Sequence, residues 1–209
     1  MDVMRELRRL GFRTNTFSEA IVVFFHTRPN TVLTVPLGLK LVDEGLKARI
    51  YPSTKVRRVL ESERFDKCCI CITMNPLLFY KATLYREHLK YKVIRVDNEE
   101  YLCLRRCDAY VLCRVAKRYT SHQFLYLVFK PIKLAYSRRR PSVITRATLA
   151  VLEALICLTK MPYVDMATRK RYLNTMHMLM EIVKRCTGSR AIRTAMQDIL
   201  QRAQKLVVE

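Results

Sequence analysis

The residues of this chain best suited to chemistry lie between Leu33 and Tyr80. Ser53-Thr54-Lys55 stands between an apolar run and a short helical pattern, bringing together two hydroxyls, the unpaired N–H groups of a helix start and one cation. That is a donor set for a phosphate ester. The same residue types also cap ordinary helices, so the turn alone leaves both readings open. Upstream, Thr34-Val35-Pro36-Leu37-Gly38 reads as the punctuation that closes a strand. Downstream, the apolar run Cys69-Ile70-Cys71-Ile72-Thr73 is closed by Asn75-Pro76.

Other chemistries find less support. Cys68, Cys69 and Cys71, followed by Cys103, Cys107 and Cys113, suggest metal ligation, but a strand throws Cys69 and Cys71 to one face and Cys68 to the other. No metal is expected. The eight cysteines sit in apolar segments of a chain with enough core to need no staples, so they read as reduced, buried small hydrophobes. His26, His88, His122 and His177 lie far apart without a partnered Asp or Cys, so no catalytic acid, base or nucleophile is assigned. There is no Gly-x-Gly-x-x-Gly and no Walker-type loop, which argues against nicotinamide and nucleotide-triphosphate folds.

With 209 residues, half of them hydrophobic, the chain can bury a substantial core in one domain, or in one domain plus a smaller helical annex. No apolar run approaches the roughly 20 residues of a membrane span, and Met1 to Leu10 does not read as a secretory signal. A cytoplasmic protein with no membrane partner is expected. The 39 Lys and Arg against 18 Asp and Glu leave a net charge of +21, in clusters such as Arg57-Arg58, Arg105-Arg106, Arg138-Arg139-Arg140 and Arg169-Lys170-Arg171. A phosphate monoester carries only about two negative charges. The excess fits either a surface for RNA or DNA or a solvated face in a basic proteome, and no RGG run or aromatic platform motif accompanies it.

These residues need elements to position them. Ile21 to Phe25, Val32 to Val35, Leu46 to Tyr51, Lys67 to Thr73, Tyr110 to Val115 and Phe124 to Phe129 are β-branched and aromatic runs at barrel-like spacing. From Arg146 the period becomes helical. Ala147 to Met161 is apolar nearly all round, which predicts burial against the barrel or a second subunit. Pro162 stops it, and Asp165 caps a helix to about Cys186. Gly188 and Ser189 open a last helix with Ile192, Ala195, Met196, Ile199, Ala203 and Leu206 on one stripe. Arg146 stands at a helix start, where a cation opposes the dipole and so points to an anionic partner. The fold class is therefore mainly β with α, with a barrel over residues 1–140, a helical region over 141–209 and a joint at Arg138 to Pro141.

The order of motifs resembles the archaeal FMN-binding split-barrel flavoproteins of unknown function, domain of unknown function four-four-seven. Their Ala-Pro-Met-Gly-like turn corresponds to Val35-Pro36-Leu37-Gly38, and their Ser/Thr-rich turn to Ser53-Thr54-Lys55. Their Asn-Val-Thr-Asp-Asp-Pro segment followed by Leu-Phe corresponds to Cys71 to Pro76 and Leu78-Phe79. Ser18 to Val22 resembles the family's first strand, and Thr145-Arg146-Ala147 with Val151 to Ala154 its Asn-Arg-Ala and Val-Ile-Glu-Ala helix. The resemblance implies a homodimeric split β-barrel that binds flavin mononucleotide, with a C-terminal helical region. In this reading the phosphate lies on Ser53, Thr54 and Lys55, the flavin ring lies against Thr34 to Gly38, and Tyr51, Cys71, Thr73 and Arg146 complete the site. A flavin-dependent oxidoreductase follows if the family is enzymatic.

The chain also departs from the pattern. Cys71 replaces an Asn, Met74-Asn75 an Asp pair, and Thr145 the helix-start Asn. At about 1 kcal/mol per hydrogen bond, three losses weaken binding roughly a hundredfold. The alternatives are a barrel without flavin, serving either as a basic nucleic-acid-binding protein or as a structural dimer.

Overall fold

Eight strands and six α-helices build the chain in a computed structural model that describes residues 2–15, 17–26, 31–137 and 146–208. The order is α1 (Val3–Arg9), β1 (Ser18–Phe25), β2 (Val32–Val42), β3 (Gly45–Ile50), α2 (Lys55–Ser62), β4 (Lys67–Ile72), α3 (Pro76–Leu84), β5 (Tyr91–Val96), β6 (Glu99–Leu104), β7 (Ala109–Ser121) and β8 (Phe124–Tyr136). Helices α4 (Arg146–Lys160), α5 (Met166–Cys186) and α6 (Arg190–Val208) follow. Two compact units result, Met1–Thr73 with Arg86–Arg140, and Met74–Tyr85 with Pro141–Glu209. The Arg138 to Pro141 joint and Thr145 fall outside the described residues.

The first unit is a closed antiparallel barrel in the order β1-β2-β3-β8-β7-β4, with β5 and β6 as a separate hairpin. Strand alternation decides which side chains fill it. Ala20, Val22 and Phe24 of β1, Val35, Leu37, Leu39 and Leu41 of β2, and Cys68 and Ile70 of β4 point inward. The inner rings meet, with Phe24 at 5.5 Å from Phe65 and 5.9 Å from Phe129. Leu7 and Phe12 near α1 and Leu60 of α2 join the same core. Ile21, Val23, Cys69 and Cys71, on the opposite faces of β1 and β4, are also fully buried, and β6 packs over both strands. The hairpin that supplies this cover turns on Asp97-Asn98, both left-handed with φ of 48° and 62°, the conformation of a two-residue hairpin loop.

Pro36 and Gly38 do not end a strand, contrary to the sequence expectation. Residues 32 to 39 pair without a break with β1, Ile21 opposite Pro36 and Glu19 opposite Gly38. Proline is tolerated here because β2 pairs with β3 only from Leu39 onward, so the missing N–H falls where one edge of the strand has no ladder partner.

The second unit packs α4 against α3, α5 and α6. These neighbours take up an apolar helix whose buried residues include Ala147, Val151, Ala154, Leu155 and Leu158. Asp165 caps α5 as expected, its carboxylate accepting from the Thr168 N–H at 2.8 Å. Asp198 on α6 ties down the end of α3. It accepts from the Tyr80 hydroxyl at 3.0 Å, the Tyr85 hydroxyl at 3.1 Å and Arg202 Nε at 2.9 Å. Asp198→Ala is expected to cost about 2 kcal/mol, because two phenols and a guanidinium lose one acceptor, while Asp198→Asn keeps an oxygen and costs less. Urea unfolding of the two variants decides this, and an Asp198→Ala midpoint equal to the native one would reject the role.

Burial first, then neighbouring groups, pushes several phenols above the ordinary tyrosine range: Tyr80 beside Tyr85 and Asp198, Tyr101 beside Glu99, and Tyr110 beside Cys107. Their folded pKa values exceed the unfolded one, so their contribution is fully present below about pH 10 and is lost as pH rises through the folded values. The denaturation midpoint is therefore expected to fall as pH rises above about pH 10. A midpoint that climbs in that alkaline window would contradict this burial.

Candidate functional site

The Ser53 turn sits where β3 leaves the barrel wall and α2 begins. Ser53 is left-handed, with φ of 61°, a conformation that costs an L-residue roughly 1 kcal/mol and recurs at ligand sites. Thr54 is the cap of α2. Its hydroxyl accepts from the Arg57 N–H at 3.2 Å and donates to the Tyr51 carbonyl at 3.1 Å. The helix-cap reading of this residue is therefore the one observed, and its hydroxyl is already committed. The Ser53 and Lys55 side chains are exposed, and with the Arg57 N–H taken by Thr54 the first-turn donors of α2 are the Lys55 and Val56 N–H groups. Arg57 fixes the helix from behind, bonding to Glu61 at 2.7 Å and to the Gln123 carbonyl at 2.6 Å.

Sequence reasoning missed Arg49. It donates to the Tyr51 hydroxyl at 2.8 Å, and its guanidinium lies 5.1 Å from the Tyr51 ring, 4.9 Å from Phe124 and 5.8 Å from Phe17. The signal was in the alternation of β3, which sends Leu46, Ala48 and Ile50 inward and Lys47, Arg49 and Tyr51 outward. Phe17 in turn links this group to β2. A Cβ built on Gly38 would stand 3.5 Å from Phe17 Cδ1 and 3.3 Å from a Glu19 carboxylate oxygen, so a side chain already covers the glycine. Gly38, Phe17, Arg49, Tyr51 and the Ser53–Lys55 turn thus form one continuous patch on the barrel.

The remaining expected residues are placed differently. Val35 and Leu37 point into the core, leaving only their backbones for a ligand. Thr34 is buried, with its hydroxyl 2.8 Å from the Tyr91 hydroxyl. Thr73 is buried just past β4. Cys71 lies under β6, its sulfur 3.7 Å from Cys69 Sγ and accepting from the Leu104 N–H at 3.4 Å. Burial opposes ionisation of Cys71, but hydrogen bonds from Cys107, Cys69 and Leu104 favour its thiolate and hold the thiol well below its usual range. Burial pushes Cys69 the other way. All eight cysteines are free thiols, and among the described residues no cluster of three or more His, Cys, Asp or Glu has metal-holding geometry. Arg146 is the exposed first residue of α4, in the helical unit. No helix among the described residues is long and apolar enough to cross a membrane.

The family model described as protein of unknown function (DUF447), N-terminal domain, matches residues 18–138. Among solved structures the chain is similar to an FMN-bound protein of that family from Methanosarcina mazei, at 20% identity over 94% of this chain and 99% of that one, with a TM-score of 0.72. Partial likenesses extend to the flavin reductase HpaC complexed with NADP+, at 13% identity over 68% of this chain and 91% of that one, TM-score 0.49. A nitrilotriacetate monooxygenase component B homolog from Mycobacterium thermoresistibile follows at 12% identity, 69% and 81% coverage and a TM-score of 0.47. No curated protein matches the sequence. The motif order, the closed barrel and a family model that spans more than half of the sequence agree: this chain belongs to the DUF447 family.

Proposed function

We propose that this protein binds flavin mononucleotide on the outside of the barrel, with the phosphate at the Ser53–Lys55 turn and the ring along the Thr34–Gly38 stretch of β2. The observation that carries the reading is the first turn of α2. Ser53 is left-handed, Lys55 is exposed, and Arg49 adds a second cation four residues before Ser53. This donor set suits a phosphate dianion. The FMN-bound relative in the same family supports the choice of ligand.

The structure alters the expected contacts. Thr54 serves by shaping the turn rather than by donating to the ligand, since its hydroxyl is spent on the cap. The ring would meet Phe17 and Tyr51, which are 46% and 49% exposed, rather than a bare Gly38 backbone. Flat aromatic groups suit such neighbours through offset or edge contacts. Thr34, Thr73 and Cys71 are buried and offer no exposed side chain to the ring.

A bound flavin supplies hydride or electron transfer, and the chain's own groups hold and orient it. No side chain here is assigned as a catalytic acid or base. A flavin-dependent oxidoreductase acting as a cytoplasmic homodimer is the fuller form of this reading. Equilibrium titration with flavin mononucleotide, followed by sedimentation, tests both parts. Retained flavin on a dimer is the expected result, and a folded protein that takes up no flavin would reject the reading.

A further inference from the structure

Beyond the Ser53 turn, the outer face of β2, β3, β8 and β7 carries further aromatic rings and cations, among them Lys40, Lys47, Tyr119, Phe124 and Tyr126, that the proposed flavin site does not use. In strand register, Lys40 lies opposite Lys47, Arg49 opposite Tyr126, and Tyr126 opposite Tyr119. The rings form a chain. Tyr51 and Phe124 have centroids 5.3 Å apart, Phe124 and Tyr126 6.5 Å, and Tyr126 and Tyr119 5.2 Å, with the last pair's planes 19° from parallel. Lys47 lies 5.0 Å over Tyr126 and Lys40 5.7 Å over Phe17, while Arg49 sits among Phe17, Tyr51 and Phe124. A shallow recess of about 160 Å³ is lined by Phe17, Lys40, Lys47, Ala48, Arg49 and Tyr126.

Cross-strand cation and aromatic pairs also stabilise plain sheets. Two observations go beyond that. Phe17, Tyr51 and Tyr119 are 46%, 49% and 41% exposed, so much of each ring still faces water. Among the described residues, Lys40, Lys47 and Arg49 make no ion pair with a carboxylate. Acids at the border include Asp43, Glu44, which is bound to Lys117, and Glu19 beside Gly38. In a chain with a net charge of +21, three uncompensated cations interleaved with half-exposed rings complement a partner that is both polyanionic and aromatic.

The geometry points to a binding face for single-stranded nucleic acid on β2, β3, β8 and β7. Bases stack on Tyr119, Tyr126 and the neighbouring rings, and Lys40, Lys47 and Arg49 take the phosphates. A duplex keeps its base faces paired and stacked, so it could use the cations alone. The face stands independently of the flavin reading, although Phe17, Arg49 and Tyr51 belong to both.

The test is fluorescence anisotropy with a labelled oligothymidylate of about a dozen nucleotides, alone and as a duplex, across a salt series. The native protein is expected to bind the single strand more tightly than the duplex. The logarithm of affinity should fall with the logarithm of salt at a slope of about −2 if three phosphates are contacted. Tyr119→Ala, at an exposed ring, should weaken single-strand binding roughly fivefold or more, while Tyr119→Phe stays close to native. Lys47→Gln should flatten the salt slope by about one contact. No binding at low salt, equal affinity for the duplex, or binding unchanged in both Tyr119→Ala and Lys47→Gln overturns the proposal. Both variants spare the Ser53 turn, so a failure of flavin binding leaves this test intact.

Discussion

Gly45→Ala is expected to abolish the folded barrel, or to destabilise it by about 4 kcal/mol or more. Gly45 follows the Asp43-Glu44 turn of the β2–β3 hairpin at φ of 145°, a region that L side chains rarely adopt. A Cβ there would stand 2.1 Å from the Phe129 carbonyl oxygen and 2.7 Å from Pro131 Cδ. Neither atom can yield cheaply, because Phe129 pairs with Leu46 and holds the β3–β8 seam that closes the barrel. A loss of this size is a large fraction of a typical domain stability of about 5–15 kcal/mol. Gly11→Ala provides the comparison. Gly11 also has positive φ, 102°, but its Cβ would meet nothing within 4 Å, so only backbone strain of about 1 kcal/mol is expected. Thermal melts of the two variants separate steric clash from strain. Equal melting of the two would show that β3 and β8 are not packed at this distance.

Lys55→Ala is expected to weaken flavin mononucleotide binding by ten- to a hundredfold, the worth of one charge-assisted contact of about 1.5–3 kcal/mol. Lys55 is exposed, so its removal should leave stability within about 0.5 kcal/mol of native. Ser53→Ala should weaken binding by a smaller factor, since it removes one neutral hydroxyl. Thr54→Ala is a poorer probe despite its place in the motif. It removes the cap of α2 and should lower stability by about 1 kcal/mol, so lost flavin would have two causes. Unchanged flavin affinity in Lys55→Ala, with the native melting temperature, would move the phosphate away from this turn.

The barrel was largely legible because its strands are β-branched runs with inward alternation, as in Ala20, Val22 and Phe24. The motif order carried the family. Other elements escaped for separate reasons. The Pro76 to Leu84 helix spreads its apolar residues around all sides, so it has no helical stripe to read, and Pro76 looked like a strand stop whereas it opens a helix capped by Asn75. The β5–β6 hairpin was readable in principle, since Val93 and Arg95 are exposed while Val96 is buried, but its turn is Asp-Asn rather than the stronger Asn-Gly signal. The outer halves of β7 and β8 run on to Ser121 and begin again at Phe124, with bulges at Leu112/Cys113 and Val115/Lys117 that break the alternation.

At the site, the sequence marked the Ser53–Lys55 turn but not the conformations and hydrogen bonds of its residues. Whether a threonine hydroxyl faces a ligand or its own helix is decided by backbone angles that composition does not carry, and Thr54 faces its helix. Pro36 looked like a strand end because the register that leaves its β3 side unpaired is a tertiary property. Phe17 and Arg49 became visible only when β2 and β3 lay side by side. Cys71, which takes the place of a polar family residue, packs against Cys69 and the Leu104 backbone instead.

The most direct test of the central claim is the visible absorbance of the purified protein after incubation with flavin mononucleotide and removal of the excess. Flavin bands that travel with the protein, and that are lost in Lys55→Ala, are the expected result. A correctly folded protein that stays colourless would contradict flavin binding on this barrel.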